Sequence, residues 1–98
     1  MSCKVNKEIK DGKTAFQHKQ YAVAAVLLEE DYKKESDKIK KAELAYFLGE
    51  SYKFNNENKP ASKWYDKAVE LGYGTKALYE MAYVLKKMEK YGLAGRYF

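Results

Sequence analysis

The residues able to do chemistry in this 98-residue chain are few and scattered. His18 is the only histidine and Cys3 the only cysteine. One cysteine excludes an internal disulfide framework and a multi-cysteine metal site. One histidine excludes a His-rich metal site, and no Cys–His pair has a plausible third member nearby. Gln17, Lys19 and Gln20 around His18 read as an exposed helix end. Glu29-Glu30-Asp31 invites a catalytic or cation-binding reading. Neighbouring carboxylates on a helix point in different directions, however, and no other ligand type lies close in sequence. The glycines of LGYGTK and KYGLAGR are spaced as helix stops or close helix contacts, and no GxxxxGK(S/T) phosphate loop is present. No catalytic residue, metal ligand or cofactor site is assigned, and the chain reads as a non-enzyme.

Composition bounds the alternatives. The length allows one domain at most, with a modest core if that core were single. Ten tyrosines in an aromatic content of 15% supply ample packing material to an otherwise polar chain. The net charge is +5, but 19 basic residues are interleaved with 14 acidic ones. That mixture suits a solvated helix surface, not the concentrated Lys and Arg of a nucleic-acid footprint. The longest apolar run, residues 21–28, is far too short to span a bilayer.

The elements that must position any site are helices. Leu44, Ala45, Leu48, Gly49 and Tyr52, then Ala61, Trp64, Tyr65, Ala68 and Leu71, recur at the three-and-four spacing of one helix face. Residues 42–74 therefore read as two amphipathic helices in a hairpin. Residues 55–58 supply the turn, and Pro60 fits the first turn of the second helix, where its missing N–H leaves no bond unmade. Gly72 and Gly74 are expected to end that helix, because glycine accepts the left-handed conformation common at helix C-termini.

Leu48-Gly49, Tyr52, Ala61, Tyr65 and Ala68 resemble the tetratricopeptide repeat, a helix–turn–helix of about 34 residues with these residue types at these offsets. Ala45 and Tyr73 depart from it, standing where the family often has Trp and Pro. The resemblance implies an all-α fold, a right-handed α-solenoid of about three hairpins. Residues 1–98 would form a single domain, with a degenerate repeat over 5–35, a second over 42–74 and a truncated third over 75–98.

In the first repeat, residues 5–18 are expected to form one helix, with Val5, Ile9, Gly12, Ala15 and Phe16 to one side, and residues 21–31 a second. Gly12 then matches Gly49, Ala24 matches Ala61 and Leu28 matches Tyr65. Asp11 and Ala15 take the places of Leu48 and Tyr52, so this first helix should pack loosely or be shielded by upstream residues. Gly12 and Gly49 are 37 positions apart, against 33 from Ala61 to Ala94. The extra residues are expected in a loop over 31–37, with Ser36 or Asp37 capping the next helix. In the third repeat Thr75 is the expected cap. Leu78, Met81, Ala82 and Leu85 lie on its first helix, and a second helix begins at Tyr91 after Glu89-Lys90, carrying Ala94 and Phe98. A last repeat needs a cover for its apolar face, so the chain is expected to be a piece of a longer protein or to pack against a partner or a second copy.

The resemblance also implies a surface. In this family the first helices line a groove that presents ligand-binding residues from fixed repeat positions. Carried onto this chain these are Glu43, Tyr46, Glu50, Lys53 and Phe54 in the central repeat and Lys76, Tyr79, Tyr83, Lys86 and Lys87 in the third. The first repeat would add Asn6, Ile9, Lys13, Phe16 and Gln17. About half of the groove's aromatic residues, Tyr46 and Tyr79 foremost, are expected to pack against the adjacent repeat instead. The chaperone-binding carboxylate clamp of one subfamily would fall on Ile9, Lys13, Phe47, Lys76 and Glu80, where only the two lysines have a suitable type.

Cys3 ahead of the Lys-rich segment 4–10 looks like the mature start of a bacterial lipoprotein, whose cysteine carries the lipid. The competing reading is an incidental residue at a frayed terminus. A cysteine near the start, a loose first repeat and LGESYKFNNENKPASKWYDKAVELGY together resemble the N-terminal region of Bacteroidota envelope lipoproteins of the OmpA family. Some of these belong to the type IX secretion apparatus. That resemblance implies a non-enzymatic protein-binding scaffold in the periplasm, anchored to the outer membrane only through a lipid on Cys3. Its partner would be an envelope or secretion-apparatus protein, with self-association through the open C-terminal face as a further expectation. The alternatives are a cytoplasmic repeat adaptor without a membrane link and, third, glycan or peptidoglycan binding through the Tyr-rich surface.

Overall fold

Asp11 opens the first helix as its cap. Its Oδ1 accepts a hydrogen bond from the Thr14 N–H at 2.8 Å and its Oδ2 one from the Thr14 hydroxyl at 3.0 Å. The computed structural model describes the backbone of residues 11–97 and the side chains of residues 11–90. Within it lie five helices and no strand: α1 (Gly12–Gln17), α2 (Tyr21–Lys34), α3 (Lys38–Phe54), α4 (Asn58–Glu70) and α5 (Thr75–Tyr97). None is long and apolar enough to cross a membrane.

Three helices end in the same way. The residue after the cap turns left-handed, and the N–H groups of it and its successor close back onto the last turn. At α4, Gly72 takes φ 90°, its N–H reaches the Val69 carbonyl, and the Tyr73 N–H reaches that of Ala68 at 2.9 Å. Asn56 (φ 62°) does this for α3 and Lys19 (φ 60°) for α1. The turn after α3 is thus set by a left-handed asparagine, and Pro60 lies in the first turn of α4, as the sequence predicts. Gly74 (φ 116°) plays a different part from the expected one, standing immediately before α5 instead of ending α4.

Several boundaries differ from expectation, each for a local reason. Of the helix predicted over 5–18, residues 5–10 lie outside the described residues; α1 starts at Gly12, and Asp11, expected in mid-helix, is extended and caps it. Val5, Asn6 and Ile9 lie outside the described residues, as does Cys3. Helix α2 runs a turn further than predicted, to Lys34. Tyr32 in that turn packs edge-on against Trp64 of α4 at 5.0 Å between centroids, and the Lys41 ammonium sits 4.6 Å from its ring centroid. Lys33 and Lys34 also suit the negative end of the helix dipole. The loop expected over 31–37 shrinks to Glu35–Asp37, with Asp37 capping α3 by accepting from the Lys40 N–H at 2.9 Å. Thr75 is the first helical residue of α5 and not the cap before it. The turn expected at Glu89-Lys90 is absent, and α5 continues unbroken through 23 residues. Glu and Lys are good helix formers, and no Pro or left-handed residue interrupts them.

The main packing contacts join consecutive helices, α1 on α2, α2 on α3, α3 on α4 and α4 on α5. The molecule measures 45 × 34 × 19 Å, about two helix diameters in its thin direction. One contact occurs twice. A Cβ added to Gly12 would lie 2.4 Å from Leu28 Cγ, and one added to Gly49 would lie 2.5 Å from Tyr65 Cδ1. Both pairs are 16 residues apart and join the two helices of a hairpin. Ala24 and Ala61, four residues before Leu28 and Tyr65, are both fully buried. The repeat register of the sequence is therefore a packing register for these pairs, in which glycine lets a large side chain meet the opposite backbone.

A candidate interaction cleft between α3 and α5

Helices α1, α3 and α5 contribute polar side chains that meet across their interfaces. The Lys13 ammonium of α1 donates to Glu43 Oε1 of α3 at 2.8 Å. The Lys53 ammonium of α3 donates to Glu80 Oε1 of α5 at 2.7 Å and lies 3.4 Å from Glu50 Oε1. The same Glu50 oxygen accepts from the Tyr65 hydroxyl of α4 at 2.6 Å. Lys53 and Glu50 side chains are only 15% and 13% exposed, so the Tyr65–Glu50–Lys53–Glu80 line is a semi-buried network and not a mobile surface pair.

One end of that network, the Lys53–Glu80 pair, lines a cleft. Lys53, Phe54 and Asn56 form one wall, and Tyr79, Glu80, Tyr83 and Lys87 of α5 the other, around a volume of about 490 Å³. The Lys53 ammonium is 4.6 Å from the Phe54 ring centroid and 6.0 Å from that of Tyr83, while the Lys87 ammonium lies 5.5 Å from Tyr83. Phe54 also stacks on Tyr21 at 5.1 Å, and Phe16 bridges to Phe47 at 5.4 Å. An aromatic band thus runs from the first hairpin to the cleft, with Phe54 and Tyr83 half-exposed and Tyr79 78% exposed. The site is suited to seat an apolar side chain between rings and a polar group against the flanking charges.

Among the described residues, the groove residues expected from the sequence divide into four groups. Lys53, Phe54, Tyr79, Tyr83 and Lys87 meet at the cleft. Glu43, Lys13 and Phe16 lie further along, in the α1–α3 contact. Lys76, Lys86 and Gln17 are exposed and lie outside the cleft lining, with the Lys76 ammonium 5.6 Å from the Tyr46 centroid. Tyr46 lies in the core and not on the groove surface: it is 4% exposed, and its ring stacks on Tyr73 at 4.4 Å and 7°. Glu50 is likewise engaged inside the protein. Of the two tyrosines expected foremost to pack against the adjacent repeat, Tyr46 is buried, stacked on Tyr73 of its own hairpin, and Tyr79 is exposed. Sequence reasoning missed Asn56 and Glu80 as cleft residues. The asparagine signals only a turn, and the ion pair of Glu80 with Lys53 joins residues 27 apart.

Burial raises the Tyr65 phenol pKa above its ordinary value, and the hydrogen bond to Glu50 adds to this. Tyr46 is raised by burial and then by the Glu50 charge, and Tyr52 and Tyr73 mainly by burial. For Lys53, burial pulls the ammonium down, but the Glu80 hydrogen bond and the Glu50 and Glu80 charges outweigh it and hold the pKa above its usual range. A phenol with a higher pKa folded than unfolded contributes stability in full below the unfolded value of about 10 and loses it as pH rises beyond. Alkaline unfolding is therefore expected to begin above that pH. An ultraviolet titration should show at least four of the ten tyrosines ionising later than the rest, or together with unfolding. Ten tyrosines titrating as one class in the folded protein would contradict the packing described.

Among the described residues no three His, Cys, Asp or Glu side chains gather as a metal site. No protein-family model matches the chain, and no curated protein or solved structure matches it either.

Proposed function

We propose that this chain is a non-enzymatic protein-binding scaffold, a solenoid of tetratricopeptide-type hairpins that seats a segment of a partner protein in the α3–α5 cleft. The observation that carries the reading is the cleft itself, with Phe54, Tyr79 and Tyr83 left exposed beside the Lys53–Glu80 ion pair that joins its two walls. Rings held on a preformed helix pair bury area at little rotamer cost, and Tyr keeps a hydrogen-bonding tip. The duplicated Gly12–Leu28 and Gly49–Tyr65 contacts and the consecutive packing of the helices support the solenoid reading.

The experiment is a double substitution, Tyr79→Ala with Tyr83→Ala, assayed by calorimetry against the partner that the intact chain captures from envelope extracts. Both side chains are exposed, so helicity by circular dichroism should be unchanged while affinity falls by at least about tenfold. Unchanged affinity would remove the cleft as the site. The envelope location, with a role in type IX secretion or envelope assembly, rests on the sequence resemblance and on Cys3. Mass spectrometry of the native N-terminal peptide tests it. An acylated cysteine as first residue supports the anchor, and an unmodified peptide containing Met1 and Ser2 moves the scaffold to the cytoplasm.

A further inference from the structure

Tyr79, Glu80, Tyr83 and Lys87 carry α5 along the cleft. Lys76, Lys86 and Lys90 recur with them at the three-and-four spacing of one helix face, and all three are exposed. This face therefore sets four lysines and one glutamate around two tyrosines. Glu80 is already held by Lys53 at 2.7 Å, whereas none of the four lysines belongs to an ion pair among the described residues. The charge left to answer is positive.

The rings disfavour a cationic guest. The Lys53 ammonium stands 4.6 Å from the Phe54 centroid and the Lys87 ammonium 5.5 Å from that of Tyr83, so a further cation would meet like charge at both rings. Tyr79, 78% exposed, keeps its ring open to an apolar side chain. The lysines are also spread and not gathered, since from position 76 to position 90 the helix rises about 21 Å. One terminal carboxylate cannot answer charges so far apart, but acidic side chains along an extended strand of about six residues can. A nucleic-acid strand is the other polyanion, and it fits less well. Its footprint concentrates Lys and Arg with few acids between them, whereas Lys53 here is shared by Glu50 and Glu80, and two of the three exposed rings already face an ammonium.

We propose that the cleft takes an internal acidic segment of a partner protein, with one large apolar residue seated against Tyr79 and Tyr83 and its carboxylates paired to Lys76, Lys86, Lys87 and Lys90. The proposal rests on the cleft being the binding site and adds the chemistry of what binds there. Charge pairing along an exposed rim steers the encounter and selects the partner, and salt screens it.

The probes are three fluorescein-labelled peptides blocked at both ends, DEDLFDED, SQSLFSQS and KRKLFKRK, titrated by anisotropy into the full 98-residue chain. At low salt the acidic peptide should bind at least about tenfold tighter than the neutral one, with the basic one weakest. In about 1 M salt, where the screening length is about 3 Å, that gap should close. Lys86→Gln with Lys90→Gln should cut the acidic peptide's advantage over the neutral one at least about threefold, a ratio that a purely structural change would leave alone. An acidic peptide that binds no better than the neutral one, or not at all, overturns the proposal; the cleft survives that result if Tyr79→Ala with Tyr83→Ala still loses the captured partner. Acidic-peptide binding that the tyrosine variant keeps removes the cleft and the proposal with it. An oligothymidylate that outcompetes the acidic peptide overturns the protein partner in favour of a single-stranded nucleic acid.

Discussion

Tyr65→Ala is expected to lower the unfolding free energy by about 3–5 kcal/mol, the range for removing a large aromatic side chain from a core. Domains of this kind have about 5–15 kcal/mol in total, so the variant should be marginal at room temperature. Tyr65 is fully buried and shares its cluster with Ala45, Ala61 and Ala68, small residues that cannot expand to fill the space. Its hydroxyl also ends the polar line to Glu50, Lys53 and Glu80. Tyr65→Phe separates the two contributions, since it deletes only the hydrogen bond to a carboxylate and should cost about 1.5 kcal/mol. Urea denaturation of both variants measures the difference. A loss for the alanine variant no larger than for the phenylalanine one would show that the ring is not the anchor of the central hairpin.

Gly49→Ala should destabilise by about 2 kcal/mol, although alanine is the better helix former by about 1 kcal/mol. The new methyl would sit 2.5 Å from Tyr65 Cδ1, far inside contact distance. The ring cannot swing away, because it is buried and its hydroxyl is held by Glu50. The helices must therefore part, and overpacking of this kind costs about 1–3 kcal/mol or more. A fall in melting temperature of about 8–16 °C is the corresponding shift for a domain of this size. A variant melting at or above the wild-type temperature would show that α3 and α4 have room to separate at this crossing.

These two residues also show how much was legible beforehand. The Gly49–Tyr65 register could be read from spacing, because close approach of two helices demands a small residue opposite a large one. The left-handed residues Asn56 and Gly72 belong to turns that the sequence announces, since backbone preference is a property of the residue itself. Asp11 and Asp37 are both acidic residues able to cap, yet the helical periodicity marks only Asp37 as one. A helical count through residues 5–18 placed Asp11 in mid-helix, and choosing between the two needs the backbone.

The cleft was legible only in part. Lys53, Phe54, Tyr79, Tyr83 and Lys87 were named from the repeat positions, and they do converge. Tyr46 and Tyr79 lie 33 positions apart, at matching places of the predicted repeat, and nothing in their local sequence separates them. Tyr73 stacks on the first, while the second is 78% exposed.

By itself the sequence determined the helical content, the central hairpin and its turns, because side-chain periodicity and backbone preference act within a few residues of one another. The tertiary structure alone decided the extra turn of α2, where Tyr32 meets Trp64 across 32 positions. It also decided the Lys53–Glu80 pair and which tyrosines are core. Burial depends on what another helix places opposite a side chain, and that neighbour lies far away along the chain.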